Sequence, residues 1–429
     1  MSRVALFGNT PDSFSPNAGN GACIARTERF RSTMEAAGHE VVVCSPPQTV
    51  RPGGFVSAFL RDRGPFDCIV AISPFPAEAV THSDCALPLW IDMNGMHPAE
   101  IQLAGTDVHT NRLEMFRMLA LERSLLARGD RFSAPSARQT DSVLGQLFLL
   151  GRLDCGNRGA RVVHPFPHCA LEVPLSRGPE TDAPPRIIST GSFNSWFDHT
   201  TLFRALEYVM ERDSKVVFTC SGGAVPFWSR GVEEFASMTS SSRHSDRYEL
   251  RGWVRREELE NIYDTATAAV LADIPCNETR LGARTRMIDW VSRGIPVACT
   301  RGAEVSEDME RAGTAIVVPE ESPEELGRAL LTLITRGEVR SAIRRNQIKW
   351  CSEEGDPVRV FRPLHDWCAS PLRLLGGIPS NFVPRRFGSL RYRAVSFVLA
   401  VREKGISEAL GRIAAKLPIP SVRQKRESQ

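Results

Sequence analysis

Between Cys276 and Val297 the chain reads CNETRLGARTRMIDWVSRGIPV, and this stretch is the densest in groups that could do chemistry. Glu278 and Asp289 are carboxylates able to accept hydrogen bonds from ribose or sugar hydroxyls. Arg280, Arg284 and Arg286 are charge-assisted donors suited to phosphate oxygens. Gly282, Ala283 and Thr285 are small or polar where a helix over 284–293 is expected to begin, and the amides at a helix start attract a diphosphate. A plainer arrangement of the same residues pairs Asp289 with Arg293, four positions on, along a helix surface.

Other polar clusters follow apolar runs. Thr190-Gly191-Ser192 leaves one such run, and Gly191 lets backbone approach a phosphate closely. Asp198 is either a ligand or the N-cap of the helix after it. Ser221-Gly222-Gly223 is a further glycine-rich exit, equally readable as a plain turn. Nearer the N-terminus, Asp92-Met93-Asn94-Gly95-Met96-His97-Pro98-Ala99-Glu100 could supply a base or orient an acceptor hydroxyl through Asp92, His97 or Glu100. The bland alternative has Asp92 holding its loop and His97 as a satisfied surface histidine. Gly19 and Asn20, just before a helix, and Asn94 are the candidate acceptor contacts.

These groups need elements to hold them. Apolar runs at 4–8, 41–44, 68–71, 87–91, 132–134 and 161–163 read as strands, with helical spacing over 21–38 and 110–128. A second series begins with strand 186–190 and helix 199–212. Strands at 216–220, 248–251, 268–272, 296–299 and 315–318 follow, with helices 255–265, 284–293, 304–312, 323–337 and 340–353. Strands alternating with helices imply parallel sheets with right-handed crossovers. Residues 172–185 hold four prolines without periodicity and read as a linker. Two open α/β domains joined this way face each other across a cleft, with ligands at the carboxyl ends of the strands.

Composition sets the outer bounds. A chain of 429 residues is long for one core and comfortable for two domains. With 42% hydrophobic and 24% charged residues it is globular in composition. A net charge of +3 argues against nucleic acid as the partner. The charge is uneven: 384–429 has eleven Lys or Arg against three Glu, leaving the rest net acidic. Apolar residues alternate with the basic ones there, as in a helix lying on an anionic membrane surface or in a solvated or dimer-packing extension. The eleven cysteines are irregularly spaced and read as buried hydrophobes in a reducing compartment. The N-terminus does not read as a signal peptide, and no run of about 18 apolar residues occurs. No G-x-x-x-x-G-K-[ST], G-x-G-x-x-G, Asp-x-Asp or zinc-like Cys/His spacing is present.

The segment from Glu278 to Val297 resembles the donor-binding signature of family-4-like GT-B glycosyltransferases, where an acid and a glycine precede a helix ending in Gly-x-Pro-Val. Here that ending is Gly294-Ile295-Pro296-Val297. Arg301-Gly302-Ala303-Glu304, 313–319 and Ser322-Pro323-Glu324-Glu325-Leu326 continue the likeness, which covers 186–337 well and 1–170 loosely. The resemblance implies a GT-B α/β fold: two Rossmann-like domains facing a cleft, with a C-terminal helical extension. It divides the chain into 1–172, completed by a return helix near 357–372, then 184–356, and an extension over 379–429. It implies a retaining, metal-independent glycosyltransferase with no cofactor beyond a nucleotide-sugar co-substrate, acting on a glycan, lipid-linked or small-molecule acceptor. Asp289 would meet the nucleotide ribose, Glu278 the donor sugar or catalytic pocket, Trp253 the nucleobase region, and His97 the cleft face of the first domain. Gly191, Gly222, Arg280, Gly282, Arg284, Thr285 and Arg286 would surround the donor.

Two features depart from the pattern. The family has two glutamates eight positions apart, but eight residues after Glu278 stands Arg286. Its Lys-Gly pair near the donor phosphates is replaced by Trp196-Phe197-Asp198. Two rivals share the fold: a sugar-nucleotide epimerase or hydrolase, and a non-catalytic nucleotide-sugar-binding protein. The expected location is the cytoplasm, with 384–429 as a means of reaching the inner membrane face.

Overall fold

The structure is a computed structural model and describes residues 1–10, 21–46, 52–105, 107–169, 184–225 and 228–374. The first domain runs β1 (Arg3–Phe7), α1 (Gly21–Ala36), β2 (Glu40–Cys44), α2 (Pro52–Arg63), β3 (Cys68–Ile72), α3 (Pro74–Thr81), β4 (Leu89–Asp92), α4 (His97–Ala104), α5 (Val108–Arg128), β5 (Arg131–Ala134), α6 (Ala137–Leu149) and β6 (Val163–Pro165). The second runs β7 (Arg186–Thr190), α7 (His199–Met210), β8 (Val217–Ser221), α8 (Arg230–Ser240), β9 (Tyr248–Leu250), α9 (Arg256–Thr265), β10 (Ala268–Leu271), α10 (Asn277–Leu281), α11 (Thr285–Val291), β11 (Val297–Thr300), α12 (Glu304–Ala312), β12 (Ala315–Val318), α13 (Pro323–Thr335) and α14 (Gly337–Glu353). A last helix, α15 (Pro357–Ala369), returns to the first domain.

Both sheets have six strands, in the orders β2-β1-β3-β4-β5-β6 and β12-β11-β10-β7-β8-β9. Every strand pairing is parallel. Helices therefore cover both faces, and strands such as β3, β4 and β10 are buried along their whole length. Alternation along the strands sorts the first core into two layers. Ala5, Phe7, Ile69, Ala71 and Ile91 face Leu125 and Leu147, while Val4, Leu6, Val70 and Trp90 face Phe30 and Phe166. α15 seals that second layer: Phe361 lies 4.8 Å from Phe30 and 4.9 Å from Phe166, and Trp367 lies 5.5 Å from Trp90.

Strand order reverses at β1/β3 in the first sheet and at β7/β10 in the second, and such reversals open the crevices where ligands bind. Local differences from the sequence expectations are concentrated there. The helix expected over 284–293 is α11, two residues shorter at its end, and a further short helix absent from those expectations, α10, precedes it with Gly282 extended between them. The eight-residue α3 and α4, also absent from those expectations, carry proline in their first turn. Asp198 accepts from the Thr201 amide at 2.9 Å, so it caps α7 rather than serving as a ligand. Among the described residues no helix is long and apolar enough to cross a membrane. The linker over 172–183, Gly19, Asn20 and the basic segment 384–429 lie outside the described residues.

Candidate functional site

The second domain's crevice is built on glycine backbone. Gly191 has φ 98° and Gly222 has φ 124°, both in the left-handed half of the map. A side chain on Gly222 would place its Cβ 1.8 Å from the Gly191 carbonyl oxygen. That closeness lets the strand exits bond to one another: Gly191 N donates to Ser221 O at 2.8 Å, and Gly222 N to Gly252 O at 2.7 Å. Arg286, from α11, lies over this floor. Its Nη2 donates to Ser192 O at 2.6 Å, and a Cβ on Gly191 would sit 3.3 Å from its guanidinium carbon. α11 is pinned to β7 by Trp290 Nε1, which donates to Thr190 Oγ1 at 3.0 Å. On the far rim, Trp253 is 42% exposed, not the buried core tryptophan that is the default for this residue type; its indole nitrogen lies 2.9 Å from a Cβ built on Gly223.

Arg284 does something different from what the sequence suggests. It is buried, donates through Nε to Asp273, through Nη1 and Nη2 to the two oxygens of Glu278 at 3.1 and 2.8 Å, and to Thr279 Oγ1 at 3.1 Å. The Trp196 ring covers it at 5.3 Å. Its donors are thus occupied by protein carboxylates, and a diphosphate role for Arg284 is corrected to a structural one. Gly282 is likewise needed for packing: a Cβ there would sit 2.2 Å from Glu278 Oε1, and its amide already donates to the Glu278 carbonyl at 2.6 Å. Arg280 is exposed.

Burial pushes the Glu278 carboxyl up to about 7, against the pull of Arg284 and with the help of Glu100. Its ordinary value is 4.5, so the folded chain holds this proton over a pH interval in which the unfolded chain has lost it. The stabilisation is full below about 4.5 and is lost as pH rises through about 7. Glu122, also pushed up to about 7 by burial, shares the window. Thermal melts from pH 5 to 8 should therefore fall less steeply for Glu278→Gln than for the native chain. Parallel curves would remove Glu278 from the titration.

In the first domain, Asp92 is fully buried. Its oxygens accept from Arg26 Nε and Nη2 at 3.0 and 2.8 Å and from Ser133 Oγ at 2.6 Å. Arg26 also reaches Phe166 O at 2.7 Å. Asp92 therefore ties α1 to the sheet, and its assignment as a catalytic group is corrected on that ground. His97 and Glu100 are better placed. They start α4 and close over Gly95 (φ 104°), whose Cβ would lie 3.1 Å from Glu100 Oε1 and 3.4 Å from His97 Cε1. His97 Nδ1 is buried without a hydrogen-bond partner, and its ring meets Phe75 edge-on at 6.2 Å. Ser73 stands at the β3 exit with φ 70°, strained for a non-glycine residue, and donates to Cys23 Sγ at 3.4 Å. Asn94 Nδ2 lies 3.9 Å from the same sulfur.

The two domains touch directly. Asn277 Nδ2 donates to Gln102 Oε1 at 2.9 Å, Ser136 Oγ to Leu281 O at 3.1 Å, and Thr285 Oγ1 lies 2.9 Å from His168 Nε2. The Thr285 hydroxyl is thus engaged by the first domain. Glu304 accepts the Ala137 and Arg138 amides at the start of α6 at 2.7 and 2.8 Å, and Arg138 Nη1 donates to Gly302 O at 2.9 Å. These contacts set α4 against α10, so Glu100 and Glu278 act on one another electrostatically. Asp289 is half-buried on α11 and its carboxyl is raised by burial. The helix-surface pair with Arg293 does not form: Arg293 holds Glu260 at 2.7 and 3.2 Å and reaches only the Asp289 carbonyl.

Residues 184–336 match the family described as "Glycosyl transferases group 1". No curated protein matches the chain. Among solved structures, sucrose-phosphate synthase from Thermosynechococcus elongatus aligns with a TM-score of 0.61 at 14% identity, over 85% of this chain and 98% of that one. WaaG, a glycosyltransferase involved in lipopolysaccharide biosynthesis, aligns at 0.60 and 13%, over 86% and 100%. Anabaena Alr3699/HepE in complex with UDP and glucose aligns at 0.58 and 15%, over 86% and 100%. The two facing six-stranded domains are accordingly a GT-B fold. In the second domain, the sequence did not reveal Asp273 as the partner of Arg284, although an acid just after the apolar run of β10 was a signal. The Ala137, Arg138 and Glu304 contact between domains gave no signal, because its residues are far apart in sequence.

Proposed function

We propose that this chain transfers a sugar from a nucleotide-sugar donor to the hydroxyl of a glycan, lipid-linked or small-molecule acceptor. The observation that carries the reading is Arg286 lying over the Gly191 backbone at the β7/β10 switch point. A cation and closely approachable backbone at that place suit the leaving nucleoside diphosphate, whose negative charge grows as the bond to the sugar breaks. Charge-assisted donors there act without a metal ion. Asp289 accepts from the ribose, and Trp253 offers an exposed face to the base.

Glu278, Arg284 and Asp273 form the wall beneath the donor sugar and fix its depth. His97, with its unpartnered Nδ1, and Glu100 orient the acceptor hydroxyl from the opposite side. Retention of configuration follows from the likeness to family-4 enzymes. The cytoplasm is the compartment where nucleotide sugars meet such an enzyme, and the basic 384–429 segment would bring it to an anionic inner surface.

The test is thermal stabilisation by a panel of nucleoside diphosphates, with UDP tried first. One diphosphate should raise the melting temperature of the native chain, and Asp289→Ala should abolish that shift. Absence of a shift with every diphosphate would overturn the donor site. Turnover of the sugar nucleotide with no acceptor present would replace transfer by hydrolysis.

A further inference from the structure

α1 places two arginines on one face, three residues apart, and treats them differently. Arg26 is neutralised by Asp92 through two hydrogen bonds. Arg29 is 5% exposed, yet its Nη1 is buried with no hydrogen-bond partner among the described residues. An unpaired charge out of water is strongly disfavoured, so a buried guanidinium without an anion marks a place where something is missing.

The surroundings sharpen this. Arg29 lies at the boundary where Thr285 of the second domain meets His168 of the first domain at 2.9 Å. His168 is held neutral by burial, reinforced by Arg26 and Arg29. The Cys169 thiol is pushed up to about 11 by burial, so it supplies no negative charge near neutrality. The carboxylate that acts on Arg29 is Asp289, from across the boundary, and no salt bridge joins the two.

We propose that Arg29 is the first domain's contact to the bound nucleotide, donating to an oxygen of its ribose–phosphate portion beside Asp289. The inference rests on the donor site described above. It makes nucleotide binding a property of both domains, because the ligand oxygen supplies Arg29 with the partner that the protein withholds. Binding then favours the arrangement in which α1 and α11 face each other.

The experiment compares the native chain with Arg29→Met and Arg29→Lys. The melting temperature without ligand is measured first, then the affinity for the nucleoside diphosphate that stabilises the native chain and for its parent nucleoside. Arg29→Met is expected to melt no lower than the native chain, since it removes an unpaired buried charge, and to bind the diphosphate roughly 10- to 100-fold more weakly. Arg29→Lys should recover part of the loss. A loss seen equally with the nucleoside assigns the contact to the ribose, and a loss confined to the diphosphate assigns it to phosphate; either supports the proposal. Diphosphate affinity within about twofold of native in Arg29→Met would overturn it while leaving the donor site standing. If the native chain bound no diphosphate at all, the donor site and this proposal would fall together.

Discussion

Replacing Arg286 with alanine is expected to lower kcat by roughly 100- to 1,000-fold, the loss typical of removing one donor aimed at developing negative charge. The fold should survive. Arg286 makes one hydrogen bond to the protein, to Ser192 O, and losing such a bond costs about 1 kcal/mol. The Gly191–Ser221 and Gly222–Gly252 backbone bonds beneath it do not involve its side chain. Arg286→Lys keeps a charge but loses the planar fork, so intermediate activity is expected. The KM for the acceptor should barely move, because His97 and Glu100 lie on the other domain. Steady-state kinetics with the donor saturating will check this. A kcat within a few-fold of native would mean that Arg286 only shapes the loop.

Replacing Arg284 with alanine should have its largest effect on stability. Asp273 and Glu278 are each 3% exposed, and removal of the guanidinium leaves two buried carboxylates without their cation. Breaking a buried pair in this way costs about 3–5 kcal/mol. The deficit should shrink as pH falls, because protonation relieves Glu278, whose folded-state pKa is raised by burial. Replacing Arg284 and Glu278 together by apolar or neutral residues should cost less than Arg284→Ala alone, since fewer charges are stranded. Urea unfolding at pH 7 and pH 5 distinguishes these outcomes. A loss below about 1 kcal/mol at pH 7 would show that water reaches the site.

These two arginines stand two residues apart on one segment, and their different fates mark the limit of what sequence could reveal. The alternating strands were legible because parallel strands are buried on both faces and so read as unbroken apolar runs. The glycine-rich strand exits were legible as well, since only glycine tolerates the backbone found at Gly191 and Gly222. The segment from Glu278 to Asp289 stood out by its residue types, and it lies within the residues 184–336 that the family model matches.

Which side chain faces the ligand was another matter. The break between α10 and α11 at Gly282 turns the chain, sending Arg280 to solvent, Arg284 inward to Glu278 and Asp273, and Arg286 over Gly191. Asp92 looked catalytic because its partner Arg26 lies 66 positions away, and sequence spacing carries no trace of that pair. Sequence by itself determined two parallel α/β domains and their glycine-rich strand exits, because local apolar pattern and glycine chemistry act over a few residues. Only tertiary structure decided which arginines are neutralised within the protein, as Arg26 and Arg284 are, and which, like Arg286 and Arg29, have no carboxylate partner among the described residues, because charge pairing depends on distances set by the packing of distant segments.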